Sequence, residues 1–322
     1  MSASSVDQQP GNGREPAQLT ALLYAMRVWR TKVRHIADPV EPTGQLTAAG
    51  RAERAGLDQS QRDQVVRQVA GLDSSWRETV LNPLRAADDG TLQWCGFHVR
   101  QPDQTACVPT VLAVQSARGN IALALWLVSG IDTIGIETQL RKVVRDSLPA
   151  SSSNHDEPQG GEAGSHQAQI AARFGALVRY FQFRATHRGR VRLWPSAWGT
   201  PPWGAARVAR YGQYRFTSRL VNDLAADSVK HVVGAAVIAA DRGVPSVLYV
   251  GGDSSTKYRD AVPRHAILLH SSDGAGLAVF EPSAGRIIPV APEELARSGG
   301  PRQAYAGWSH IGWAVVPVQP DV

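Results

Sequence analysis

Apolar residues recur at helical spacing through most of the first two thirds of the chain. Between residues 166 and 186, for example, Ile170, Phe174 and Phe181 fall on one face of a helix. The same pattern, strong or weak, predicts helices at 17–37, 58–70, 107–117, 121–128, 136–148, 166–186 and 220–240. Two stretches rich in Pro, Gly and Ala, 38–56 and 194–204, are predicted to be irregular because Pro and Gly interrupt regular structure.

The pattern changes to short strands after about residue 245. Apolar runs separated by Gly and Asp clusters predict strands at 246–250, 265–270, 277–280, 286–290 and 310–318, and an alternating run predicts an earlier one at 91–99. Helices followed by antiparallel-looking strands are typical of an α+β fold and differ from the alternation that builds a parallel sheet.

Composition divides the chain into segments. Residues 1–16 are polar and rich in Gly, Gln and Pro, and we expect them to be disordered. Residues 17–88 are predicted to be an N-terminal helical extension, and 89–322 a catalytic domain with a helical insertion at about 120–240. Within that insertion, the Ser- and Gly-rich stretch 149–165 is predicted to be a flexible, exposed linker.

The overall composition is that of a globular protein with an excess of arginine. Among 322 residues, 43% are hydrophobic and 19% charged, and the formal net charge of +6 depends mainly on arginine. Arginine excess can indicate nucleic-acid binding. The arginines here are scattered, apart from the run at 184–192, so we expect no specific nucleic-acid partner. An arginine-rich nucleic-acid binder stays open as a third hypothesis, and it predicts salt-dependent retention on DNA.

The two cysteines and the first residues of the chain allow predictions of cofactor use and of the cellular compartment. Cys95 and Cys107 cannot form a disulfide framework, and no Cys/His spacing typical of zinc occurs, so no metal or organic cofactor is predicted. The first residues lack the basic and apolar regions of a secretory signal, and the run at 121–131 is too short to span a bilayer. We therefore expect a soluble, cytoplasmic protein, with signal-free export left open.

Four residues with reactive or polar side chains occur in an order that indicates chemistry. Cys107 opens an apolar helical run in which Pro109 is tolerated, and Gln101 lies six residues before it. Far downstream, His265 heads a strand, and Glu281 follows it by sixteen residues at the end of the next strand. A thiol, an imidazole, a carboxylate and an amide are the parts of a cysteine hydrolase.

Each of these residues has a distinct role in that chemistry. Cys107 is the nucleophile, and the dipole of its helix favours the thiolate. His265 is the base that later protonates the leaving amine, and Glu281 orients its ring. Gln101 donates its amide to the oxyanion beside the backbone N–H of Cys107. The predicted activity is hydrolysis of a peptide or amide bond in an unknown peptide or protein substrate; transfer of the acyl group to an amine uses the same residues.

The same segments resemble the papain-like cysteine peptidase superfamily, and within it the bacterial branch that includes the double-glycine leader peptidases. The features that carry the resemblance are the Gln-x5-Cys spacing, the Pro-Thr pair after the cysteine, and the distal His-Ala-Ile-Leu-Leu and Glu-Pro sequences. They cover roughly residues 90–120 and 260–318. The resemblance implies a cysteine-bearing helix packed on an antiparallel sheet, with the four residues in the roles just described.

Two departures from the family pattern favour a different class of protein. Val108 stands where the family usually has Gly directly after the nucleophile, and the Glu281-Pro282 pair stands where it usually has Asp-Pro. They are the basis for the alternative that this is a catalytically inactive binding or scaffold protein with a papain-like fold. A lone cysteine in an apolar run such as that of Cys107 is also typical of a buried core position.

The remaining candidate residues are given structural interpretations. Cys95 is predicted to lie in the core, on the opposite face of its strand from His98. His270 is predicted to be structural. The Trp194, Trp198 and Trp203 cluster either lines a binding cleft or covers a core.

Overall fold

The computed structural model describes residues 47–147, 165–189, 191–194, 199–222, 225–252, 262–272, 276–296 and 300–318. The predicted tail at 1–16, the predicted helix at 17–37 and residues 149–164 of the predicted linker lie outside the described residues. The described part mixes helices with antiparallel strands, as expected for the α+β class.

Three short helices precede the central part of the molecule: α1 (Ala48–Arg54), α2 (Gln59–Ala70) and α3 (Ser74–Leu81). A capping box of Asp58 and Gln61 begins α2, which confirms the predicted helix. The irregular prediction for 38–56 is wrong at α1, where the side chain of Thr47 caps a run of Ala and Arg, both good helix formers. α3 was not predicted because its eight residues carry a single buried one, Val80.

Four further helices follow within the described residues, as the periodicity predicts: α4 (Cys107–Gly119), α5 (Ile121–Ser129), α6 (Ile136–Ser147) and α7 (His166–Thr186). All thirteen residues of α4 are buried, so it is the central helix of the fold. Among the described residues, no single helix is long and apolar enough to cross a membrane; α4 and α5 meet that test only when taken together, and they are bent by 112°.

A small hairpin precedes α4. It consists of β1 (Gln93–Trp94) and β2 (Phe97–His98), so the single strand predicted at 91–99 is wrong. Cys95 and Gly96 form its two-residue turn with φ values of 48° and 82°. Positive φ at both positions is the geometry that closes a tight hairpin, and the alternation of side chains does not reveal it.

The main sheet has six antiparallel strands in the order β5-β10-β6-β7-β8-β9. Five of them lie where strands were predicted: β6 (Ser246–Gly251), β7 (His265–Ser272), β8 (Gly276–Glu281), β9 (Arg286–Pro289) and β10 (His310–Val318). The sixth, β5 (Arg215–Leu220), was not predicted, because only Phe216 and Leu220 of it are buried. It pairs with β10 at the edge of the sheet, although it lies inside the predicted helical insertion.

Both faces of the sheet are covered, and alternate residues of the central strands enter two cores. Val247, Leu268 and Phe280 pack in the core that contains α4. Leu248, Ile267 and Val279 pack in a second core on the other face. That face is covered by α9 (Ala226–Ser228), a π-helical turn (Val229–Val233) and α10 (Gly234–Asp241), which confirms most of the helix predicted at 220–240.

The remaining elements are short. They are β3 (His187–Arg188), β4 (Val191–Arg192), α8 (Pro202–Val208), α11 (Pro292–Ala296) and a 3₁₀ turn (Gln303–Tyr305). The irregular prediction for 194–204 is wrong at the start of α8. Pro202 occupies its first turn, where a missing N–H costs no hydrogen bond.

Candidate active site

Cys107 is the first residue of α4, at the end of the helix that faces the loop from Gln101. The side chain of Asp103 accepts hydrogen bonds from the N–H (2.7 Å) and hydroxyl (2.7 Å) of Thr105, and this turn leads the chain into the helix. Ala106, the N-cap residue, supplies no side-chain hydrogen bond. The first turn of α4 therefore carries the thiol without a side-chain cap over its backbone N–H groups.

His265 and Glu281 lie at the same end of the sheet on neighbouring strands. His265 is the first residue of β7 and Glu281 the last residue of β8, and the two strands run antiparallel. The distance from Nε2 of His265 to Oε1 of Glu281 is 2.7 Å. The side chains of both are more than nine-tenths buried. The structure thus brings together two residues that the chain separates by sixteen positions.

The carboxylate of Glu281 is held by the turn that follows it. Oε1 accepts from the N–H (2.7 Å) and hydroxyl (2.5 Å) of Ser283, and Oε2 accepts from the N–H of Ala284 (2.7 Å). Burial alone would raise the pKa of this carboxyl, but the hydrogen bonds from His265, Ser283 and Ala284 outweigh it and lower the pKa to about 2. Glu281 is therefore a fixed negative charge at neutral pH.

The electrostatics of His265 depend on Cys107 as well as on Glu281. Burial acts to lower the pKa of His265, but the hydrogen bonds to Cys107 and Glu281 outweigh it and raise the pKa to about 9. Because Nε2 faces Glu281, Nδ1 is the ring nitrogen left for the thiol. The imidazole thus connects the thiol on the helix with the carboxylate on the sheet.

Gln101 lies beside the same strand end through its backbone. Its N–H donates to the carbonyl of Pro282 at 2.7 Å, which ties the loop before α4 to the turn after β8. Within the described part of the chain, its side-chain Oε1 is buried without a hydrogen-bond partner. A buried amide of this kind is a polar group that a bound ligand can satisfy.

Two participants in the site were not predicted from the sequence. Ser283 binds Glu281, and its role depends on how the turn after β8 closes. Tyr249 on β6 has a pKa raised well above its usual value, first by burial and then by its electrostatic interaction with Cys107. Its hydroxyl donates to the carbonyl of Thr200 at 3.1 Å. The apolar run of β6 gives no signal that distinguishes Tyr249 from a core residue.

The turn between β8 and β9 depends on a glycine. Gly285 has φ of +63°, and a Cβ there would lie 2.5 Å from Nε2 of His98 and 2.6 Å from the carbonyl of Val99. This close approach packs the β1–β2 hairpin against the turn that holds Glu281. His98 contacts the carbonyl of Gly285 at 3.3 Å, a structural role.

The other candidate residues have contacts with different neighbours. Cys95 is half-buried, with its Sγ 3.7 Å from the hydroxyl of Thr79, so the core prediction holds only in part. His270 is buried near the far end of β7. Trp203 is 47% exposed, and its ring centroid lies 5.1 Å from that of Trp194 and 6.2 Å from that of Trp313. Trp198 lies outside the described residues.

Comparisons of this chain with protein-family models, with curated proteins and with solved structures find no match. Among the described residues, no group of three or more His, Cys, Asp or Glu side chains is arranged to hold a metal ion. An interpretation of function therefore depends on the geometry of Cys107, His265 and Glu281.

Proposed function

We propose that this protein hydrolyses a peptide or amide bond through a thioester intermediate on Cys107. The observation that carries the proposal is the 2.7 Å contact between His265 and Glu281, with Cys107, the first residue of a buried helix, acting on the same imidazole. A nucleophile, a base and an orienting carboxylate in contact are the recurrent arrangement of covalent acyl transfer.

The resting state of this proposed enzyme contains an ion pair of His265 with Glu281. With its pKa raised to about 9, His265 carries a proton at neutral pH. The sulfur of Cys107 attacks as the thiolate, which is the reactive form of a cysteine nucleophile. The charge of Glu281 on the other ring nitrogen stabilises the imidazolium and fixes the ring orientation. The dipole of α4 favours the negative sulfur at the same position.

The reaction then proceeds in two halves. The sulfur attacks the carbonyl carbon, and the oxyanion accepts hydrogen bonds from the backbone N–H of Cys107 and the amide of Gln101. His265 gives its proton to the leaving nitrogen, the C–N bond breaks, and the acyl group remains on the sulfur. Water next attacks the thioester while His265 takes its proton, which releases the acid and restores the ion pair.

The likeness to papain-like peptidases belongs to the same proposal. It is supported by a cysteine at the start of a buried helix, by the packing of that helix on an antiparallel sheet, and by a histidine and a carboxylate at one end of adjacent strands. The turn that holds Glu281 explains how a side chain longer than Asp serves as orienting residue. Its carboxylate is fixed by Ser283 and Ala284.

A non-catalytic binding or scaffold protein is the second candidate, and the burial of the site favours it. Cys107 is 5% exposed and His265 7%, so a substrate reaches the sulfur only if neighbouring residues move. Val108, which follows the nucleophile directly and stands where the papain-like pattern has Gly, is also buried.

Trapping of the acyl-enzyme separates the two candidates. We expect p-nitrophenyl acetate to add one acetyl group to the protein, located on Cys107 by peptide mapping and removed by hydroxylamine as a thioester is. The matched control is Cys95→Ser, which should be acetylated at the same rate. An acetyl group absent from Cys107 over many hours would reject the enzyme and leave the scaffold. An added amine that collects the acetyl group faster than water does would instead identify a transferase.

A further inference from the structure

A cavity of about 830 Å³ lies between helices, and Cys107, His265 and Glu281 are not among the residues that line it. Ser116 and Asn120, at the C-terminal end of α4, contribute to its wall. They follow Cys107 by nine and thirteen residues, which along a helix is about 14–20 Å. The volume lies within the range of small-molecule sites.

The inner wall of this cavity is apolar. Leu123, Leu140, Leu177 and Phe181, from α5, α6 and α7, line it although each is at most 8% exposed. The partly exposed side chains of Ile134, Tyr180 and Val208, which also line the cavity, leave apolar surface for a ligand to cover. This part of the cavity suits a hydrocarbon or aryl chain.

One side of the opening is strongly basic. Arg184, Arg188, Arg207 and Arg210 line it, and none of the described residues in the wall is Asp or Glu. The pKa of Arg207 is lowered, first by burial and then by the charges of Arg184 and Arg188, which shows that the three guanidinium groups are near one another. An anion placed among them relieves this repulsion.

Backbone carbonyls, which carry no charge, hold two of these arginines in place. Nη2 of Arg207 donates to the carbonyls of Arg184 at 2.5 Å and His187 at 2.8 Å. Nη1 of Arg210 donates to the carbonyls of Arg207 at 3.0 Å and Ala209 at 2.6 Å. In the described part of the chain no carboxylate forms an ion pair with either. The positive charge is therefore positioned but not neutralised.

We propose that this cavity binds a small amphiphilic anion, with its apolar chain against the leucines and its phosphate or carboxylate head on the arginines. Arginine recognises either head through paired N–H donors. The apolar wall selects against an anion that lacks a chain. The proposal is independent of the proposed hydrolase activity, because Cys107, His265 and Glu281 do not line the cavity.

Calorimetric titration of the full-length protein with dodecyl phosphate and with dodecanoate, below their micelle concentrations, tests this site. We expect one ligand per chain. Dodecyltrimethylammonium, with the same chain and the opposite charge, should not bind, and inorganic phosphate should bind at least tenfold more weakly. Tighter binding of dodecyl phosphate would identify a phosphate ester as the natural class, and tighter binding of dodecanoate a carboxylate.

Matched variants locate the binding. Arg184→Gln combined with Arg188→Gln should weaken it at least tenfold. Arg67→Gln combined with Arg179→Gln, which removes the same charge from exposed positions outside the cavity wall, should change it less than twofold. Val143→Trp, which fills part of the cavity from α6, should weaken it with an unchanged circular dichroism spectrum. The proposal is overturned if neither amphiphile binds, if the cationic one binds equally well, or if both double variants behave alike.

Discussion

The two ends of helix α4 are built in opposite ways. At the C-terminal end, the buried guanidinium of Arg51 donates to the carbonyls of Ala117 (3.1 Å) and Arg118 (2.7 Å), and also to those of Val80 and Leu81 in α3. At the N-terminal end, Ala106 provides no side-chain cap, and Cys107 stands in the first turn. At the C-terminal end a charged side chain binds backbone carbonyls that have no partner within the helix, and the N-terminal end has no side-chain cap.

The two ends of α4 therefore have different roles: the C-terminal end stabilises the fold, and the N-terminal end carries the thiol. The capped end anchors α4 to α1 and α3 through hydrogen bonds to a charged group, which are among the stronger ones in proteins. The N-terminal end can then carry a thiol and open N–H groups without loss of the helix. We therefore expect substitutions at Arg51 to change the free energy of unfolding, and substitutions around Cys107 to change turnover.

Removal of the thiol is the largest expected effect. Cys107→Ala should lower turnover of any amide substrate roughly 10⁴-fold or more, because the nucleophile of a covalent mechanism has no substitute. The urea midpoint should change little, since a small side chain replaces a small one at the start of a helix. Measured kcat with Cys95→Ser as the control checks this. Equal activity of wild type and Cys107→Ala would place the chemistry elsewhere.

Neutralising the orienting carboxylate comes next. Glu281→Gln keeps the shape of the side chain and removes its charge, so we expect kcat to fall by roughly 10²–10⁴-fold. The circular dichroism spectrum should stay the same. Glu293→Gln, on the exposed helix α11, is the matched control and should have wild-type activity. Unchanged turnover in Glu281→Gln would mean that another residue orients His265.

Loss of the side chain that binds the C-terminal end of α4 should lower the free energy of unfolding. Arg51→Met keeps the apolar stem and leaves the carbonyls of Val80, Leu81, Ala117 and Arg118 without the guanidinium donor. We therefore expect the free energy of unfolding to fall by roughly 3 kcal/mol or more. Urea denaturation measures it, with exposed Arg67→Met as the control. If the purified variant retains kcat at low urea, the two ends act independently. A stability equal to that of wild type would contradict the anchoring role of Arg51.

The free energy of unfolding should depend on pH through the charges of His265 and Glu281. The folded-state pKa of His265 is raised to about 9, so its contribution is complete below its ordinary value near 6.5 and is lost as the pH rises through 9. The pKa of Glu281 is lowered to about 2, so its contribution is complete above its ordinary value near 4.5 and is lost as the pH falls through 2. Together they favour the folded state most between these two ordinary values.

The difference in unfolding free energy between wild type and His265→Gln isolates the first of these contributions. It should shrink by on the order of 3 kcal/mol as the pH rises from mildly acidic to about 9. Denaturant titrations at several pH values measure it. A difference that stays constant over this range would show that His265 is not held as a cation by Cys107 and Glu281.

The strongly periodic elements could be predicted from the sequence. The structure has α7 and β10 at the predicted bounds, because their apolar positions alone specify which face is buried. β5 and α3 were missed because each contributes few buried residues and gains its place from tertiary contacts with neighbours. The β1–β2 hairpin was missed because Cys95 takes a positive φ that is uncommon for that residue.

The residues of the candidate site were likewise predicted only in part. Cys107, His265 and Glu281 were found from chemistry and chain order, and the structure brings them into contact. Ser283 and Tyr249 were not found, since their relation to the site arises from turn closure and from strand pairing. Long-range register of this kind leaves no local signal in one sequence.

The most direct test of the central claim compares the two thiols of the chain. Iodoacetamide is added near neutral pH, and mass spectrometry follows alkylation of Cys107 and Cys95 in the same sample. Burial, opposed in part by the hydrogen bond to Thr79, raises the pKa of Cys95, although this thiol is the more exposed of the two. We predict that Cys107 reacts faster near neutral pH and that His265→Gln removes this advantage. Faster reaction at Cys95, in wild type and in His265→Gln alike, would contradict an activated thiol at the start of α4.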